Sequence, residues 1–98
     1  VRQSKLTKAA RGRECQVRIP GVCNGNPETT VLAHYRMAGT CGAGIKPNDL
    51  QGAWACSDCH DACDGRRSDI GRDEARQYHA EGVMRTQVLL LRMGLVSV

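Results

Sequence analysis

"WACSDCHDACDGR", residues 54–66, sets three cysteines, one histidine and three aspartates in thirteen positions. That density of metal-ligand side chains exceeds what an ordinary helix or turn needs, and how the ligands are shared decides the fold. Cys56 and Cys59 stand in C-x-x-C spacing, which brings two sulfurs to one edge of a zinc tetrahedron. Cys56, Cys59 and Cys63 also follow one another at three and four residues, as on one helical face. The stretch predicts a short helix that opens with Ser57 and Asp58, an N-cap and a first-turn acid, and stops at Gly65.

A structural zinc needs two further ligands. Cys15 and Cys23 are the best pair, because the intervening "QVRIPGV" contains a Pro20-Gly21 turn that can fold the two sulfurs together. Cys41, in a glycine-rich loop, is the reserve ligand; a site that uses Cys41 or Cys63, or plain buried cysteines, are the alternatives. The size of the chain favours a staple. Its 98 residues contain no Phe and one Trp, Trp54, so a domain of this length has little aromatic area with which to build a core. Six cysteines also permit a disulfide framework. Against that stand the uneven spacing and the lack of an apolar leader after the basic start, so the expectation is thiolate ligation in a reducing, cytoplasmic setting. No apolar run reaches the roughly 18 residues of a membrane span.

Six of the fourteen basic residues precede position 19: Arg2, Lys5, Lys8, Arg11, Arg13 and Arg18, with Glu14 the one acid among them. With a formal net charge of +4, this start reads either as an arm attracted to a polyanion, nucleic acid above all, or as a solvated, frayed terminus. "KLTKAARG" predicts one or two helical turns that end at Gly12. Thr29 to Tyr35 is β-branched and aliphatic, a strand with His34 near its end. "MAGTCGAGIKPNDLQG" is a loop of about fifteen residues. Asp73 is the expected N-cap of a final helix ended by Gly94. Ala80, Met84, Val88, Leu91 and Leu95 form its apolar stripe. The breadth of "VLLLRMGLV" suggests a homodimer through this helix. The organisation is then one domain over residues 1–98: a basic arm (1–14), a zinc-bearing core (15–66) and a C-terminal helical region (67–98).

His60 follows Cys59 directly and so points about 100° away from it around the helix. Asp64, four residues on, shares its face, so the two could hold a further ion or form a solvent-facing pair. His79 reads as packing or exposed, and Trp54 as cover for the zinc site rather than a base-stacking platform.

Here a resemblance enters. His34 on a strand, Asn48 or Asp49 in the following loop and His60 on the next helix resemble the H…N…H series of the HNH, or ββα-metal, endonucleases. The flanking cysteines resemble the zinc-stapled branch of that superfamily. More closely, "ARGRECQVRIPGVCNGNPETTVLAHYR" with "KPNDL…CSDCHDACDGR" is similar to a family of small candidate nucleases carried by lambdoid prophages. The resemblance implies an α+β fold, a small zinc-stapled HNH-like domain. It implies His34 as general base, Asn48 or Asp49 as the residue that orients it, and His60, with Asp64, as holder of a catalytic divalent metal: magnesium, manganese, nickel or zinc. Cys15, Cys23, Cys56 and Cys59 would hold the structural zinc. Many relatives carry Asp or His immediately before the strand histidine as an additional metal ligand; this chain has Ala33, and Asp64 could take the place of that lost ligand.

Two functions from different classes follow. One is a metal-dependent endonuclease hydrolysing DNA phosphodiesters in phage or prophage DNA processing. The other is a non-catalytic zinc module that binds nucleic acid or a protein partner.

Overall fold

The computed structural model describes residues 4–98; Arg2, counted above with the basic start, lies outside them. The elements in chain order are helix α1 (Lys5–Ala9), a single 3-10 turn (Pro27–Thr29), strand β1 (Val31–His34), a second 3-10 turn (Asp49–Gln51), strand β2 (Gly52–Ala55), helix α2 (Ser57–Cys63) and helix α3 (Arg72–Arg92). The class is α+β, with one antiparallel pair in the register Val31↔Ala55, Leu32↔Trp54, Ala33↔Ala53 and His34↔Gly52.

The strand expected over Thr29 to Tyr35 is shorter, because Asn26 caps a 3-10 turn that takes up Thr29. The expected loop of about fifteen residues holds two isolated bridges, Ala38 with Cys41 and Gly42 with Ile45, and then ends sooner, in the second 3-10 turn and β2. "GAWA" carries no β-branched residue and no polar alternation, so it gives no strand signal. All four of its residues are buried. Helix α2 starts at Ser57 with Cys56 as the N-cap, its sulfur accepting from the Cys59 N–H. The expected Ser57 cap is thus one residue late. Gly65, at φ 76°, stops the helix as expected. Gly71 takes the N-cap of α3, and Asp73 instead sits in the first turn, where a carboxylate favours the helix dipole.

The expected stripe on α3 is overturned. Met84, Val88 and Leu91 are exposed, and the buried face is Ala75, His79, Gly82, Thr86 and Leu90. Close approach decides this. A Cβ on Gly82 would stand 3.0 Å from Val17 Cγ2 and 3.1 Å from Val17 Cα, so only a small residue lets the helix lie this near the chain. The polar residues on the same face bond to strand backbone: His79 Nε2 donates to the Ala33 carbonyl at 2.8 Å, and the Trp54 N–H donates to Thr86 Oγ1 at 3.0 Å.

Two apolar clusters flank the sheet. Side chains alternate along a strand, so Ala33, Ala53 and Ala55 pack with Cys15, Val17, Ile19, Cys56 and Cys59, while Leu32 and Trp54 pack with Leu6, Ala10 and Leu90. Leu6 and Ala10 anchor α1. The first turns of the basic start are therefore docked on the sheet, with Lys5 and Lys8 left on the outside.

Candidate active site and cysteine centre

The sulfurs of Cys15, Cys23, Cys56 and Cys59 lie within 4.8 Å of one another. Cys56 and Cys59 are fully buried and Cys15 nearly so. Asn24 ties the two halves of the cluster together, its side-chain amide donating to Ser57 Oγ and Asp58 Oδ2, each at 3.0 Å. The Asn24 N–H donates to Cys56 Sγ at 3.5 Å, and the Cys59 N–H donates to it at 3.4 Å. Backbone donors aimed at sulfur favour the thiolate, and thiolates repel one another unless a cation joins them. The ionisation pattern shows the same conflict: a hydrogen bond from Cys59 pulls the Cys15 pKa down and holds the proton on Cys59, while burial pushes the Cys23 thiol up. Four converging sulfurs in a mostly buried corner fit a metal ion such as zinc. Among the described residues no other set of three or more His, Cys, Asp or Glu donors converges this closely. Cys41 stays on the loop, its thiol directed at the Met37 carbonyl. Cys63 packs beside the cluster without joining it, its pKa pushed up to about 12 by burial.

A second group forms at the end of β1. His34 Nε2 lies 2.7 Å from Asp49 Oδ1, and both side chains are about 30 % exposed. The other carboxylate oxygen of Asp49 accepts from the Ser4 hydroxyl. Hydrogen bonds from Ser4 and then His34 hold the Asp49 carboxyl below its ordinary value. Asn48, the other loop candidate, is occupied differently: its side-chain oxygen caps the 3-10 turn by accepting from the Leu50 N–H at 2.8 Å. On α2, His60 Nε2 lies 3.3 Å from Asp64 Oδ2, and Arg66 reaches the same oxygen at 3.4 Å. An imidazole and a carboxylate at i and i+4 suit a divalent ion chemically, although here they offer two donors and Asp64 already has a cationic neighbour.

A cavity of about 590 Å³ touches one member of each pair. His34 and Asp64 line it, and so do Arg36, Arg67, Arg72 and Arg76, with His79 in its wall. The Arg76 guanidinium lies 4.4 Å from the Tyr35 ring centroid and donates to the Arg36 carbonyl, whereas Arg67 is held by Asp58 and Asp69. Sequence reading passed over these arginines and Ser4. The adjacency of Arg36 to the strand histidine and the i, i+4 spacing of Arg72 and Arg76 were the available signals. His79 is buried, and desolvation lowers its pKa. Trp54 is buried in the α1-side cluster, on the face away from the cysteines, so it does not cover the cysteine cluster as expected.

The chain belongs to the family described as "Putative nuclease YbcO", which matches residues 4–95. Two relatives carry that description, one from Escherichia coli (strain K12) and one from Enterobacteria phage 82. Each is 58 % identical over 92 residues, covering 94 % of this chain and 96 % of its own. A solved structure described as "Structure of a putative bacteriophage protein from Escherichia coli str. K-12 substr. MG1655" superposes with a TM-score of 0.79 at 54 % identity, covering 91 % of this chain and 99 % of that one. No helix among the described residues is long and apolar enough to cross a membrane.

Proposed function

We propose that this protein is an HNH-type, metal-dependent endonuclease that hydrolyses DNA phosphodiester bonds, in keeping with the nuclease description of its family and the phage origin of one relative. The observation that carries the reading is the His34–Asp49 pair at the rim of a cavity lined by four arginines. A carboxylate only accepts, so His34 Nε2 carries the proton, and in the neutral ring Nδ1 keeps the lone pair. Nδ1 takes a proton from a water whose oxygen bonds to phosphorus, and the P–O3′ bond breaks, the departing 3′-oxygen taking a proton from solvent, to leave a 3′-hydroxyl and a 5′-phosphate. Asp49 holds the ring and favours the imidazolium that forms. Arg36, Arg72 and Arg76 offer cationic contacts to the phosphates. His60 and Asp64 would hold a divalent ion (magnesium, manganese, nickel or zinc), which when bound offsets charge growing on the phosphate. The order β1, β2, α2 supports the ββα-metal assignment, and the cysteine quartet supports a structural zinc. The free thiols fit a cytoplasmic setting.

One observation favours the second reading, a zinc-stapled module that binds nucleic acid or a protein partner without cutting. Ala33 is buried against the cysteine-side cluster, so β1 brings no ligand beside His34. Cleavage of duplex, single-stranded and branched DNA with each metal separates the two. His34→Ala should lose roughly 10²–10⁴ in rate, as removal of a general base does, while His60→Ala should weaken activation by added metal. Unchanged cutting by the His34 variant would sink the assignment of the base. No cutting by the wild-type protein would leave the binding module. The exposed Met84, Val88 and Leu91 support a homodimer through α3, and a monomeric mass in light scattering at micromolar concentration would remove that element.

A further inference from the structure

We propose that Ser4 is a positioning residue for His34: the N-terminal helix carries a hydroxyl that fixes Asp49, and Asp49 fixes the imidazole. The inference rests on the nuclease reading only for its effect on rate. The chain of contacts is continuous, from Ser4 Oγ to Asp49 Oδ2 and from Asp49 Oδ1 to His34 Nε2. Ser4 is itself held in place. It is the N-cap of α1, its Oγ accepting from the Thr7 N–H at 3.1 Å. The helix is anchored by Leu6 and Ala10, buried among Leu32, Trp54 and Leu90. Leu32 lies on the same strand as His34, two residues before it, so α1 and the histidine share one support. The Asp49 turn is braced from its other side, where Gln87 Nε2 donates to the Leu50 carbonyl at 2.7 Å.

The chemistry of the contact explains its use. A partly exposed carboxylate can present either oxygen to water or to the histidine, and rotation of its plane would release the ring. Binding one oxygen to Ser4 leaves the other directed at His34, and a ring held by one hydrogen bond keeps Nδ1 in a single place. The lowered pKa of Asp49, to which the Ser4 bond contributes most, agrees with this. Lys46 on the loop and Arg36, Cys63, Asp64, Arg67, Arg72, Arg76 and His79 around the cavity are titratable groups near the pair, and the variants below leave them intact.

The test compares Ser4→Gly with Ser4→Thr in the full chain. Glycine is tolerated at an N-cap with little loss of helix but has no hydroxyl, whereas threonine keeps it. Two quantities are read: the Asp49 carboxyl titration by carbon NMR, and kcat and KM for DNA cleavage. In Ser4→Gly the Asp49 midpoint should rise towards the ordinary carboxylate value, and kcat should fall about 2- to 10-fold, the scale of one hydrogen bond, with KM unchanged. Ser4→Thr should restore both. An unmoved Asp49 midpoint in Ser4→Gly overturns the proposal, and so does a rise in KM with kcat intact. If the wild-type protein cuts no DNA, the nuclease reading fails and the Asp49 titration still decides the role of Ser4.

Discussion

The cysteine corner and the rim of the arginine-lined cavity are built on opposite terms. In the corner four donors from two distant segments converge within 4.8 Å, mostly out of reach of solvent. At the rim, His34 pairs with Asp49 and Asp64 pairs with His60, each side chain about one-third exposed. A closed donor set belongs to the folding free energy, whereas an open one is left incomplete so that substrate can enter. The same short helix borders both, since Cys59 is one of the four converging donors and Asp64, which caps the helix and pairs with His60, lines the cavity.

The strongest way to break this contrast is to mutate the corner. If the corner holds the proposed zinc, Cys56→Ser should release it and unfold the chain, because loss of a structural metal site removes folding free energy. Cys41→Ser should keep both metal and fold. Elemental analysis with circular dichroism reads the outcome, and a Cys56 variant that retained zinc and its melting temperature would make the corner ordinary core. At the rim the expected effect on stability is small while that on rate is large. His34→Ala should change stability by less than about 1 kcal/mol, as exposed pairs do, in the same protein that loses cleavage.

The smallest effect tests the wall of the cavity. His79 is buried with its pKa held below the ordinary 6.5 by desolvation, so the unfolded chain takes up a proton before the folded one does. Its contribution is complete above about pH 6.5 and is lost as pH falls below that value, at no more than about 1.4 kcal/mol per pH unit. Melting temperatures from pH 7.5 to 5.5 should therefore decline in the wild type and decline less in His79→Gln. Equal slopes would show that His79 accepts its proton in place.

Much of the corner is legible in the residues alone. C-x-x-C spacing, two upstream cysteines around a Pro-Gly turn and a helix stop at Gly65 all act over a few residues, where local geometry leaves little choice. The position of His34 at a strand end is legible for the same reason. What tertiary structure decided depends on contacts between segments far apart in the chain. Strand β2 exists because both faces of "GAWA" are covered, which no alternation signals. The inward face of α3 carries Ala75, His79, Gly82 and Thr86 rather than its larger apolar residues, because a close approach to the sheet rewards small side chains and polar groups that satisfy strand backbone. That Asp49 and not Asn48 meets His34 goes with Asn48 being engaged in capping its own turn. Ser4 reaches the site across 45 positions of sequence, a distance over which residue spacing carries no information and only the docking of α1 supplies it.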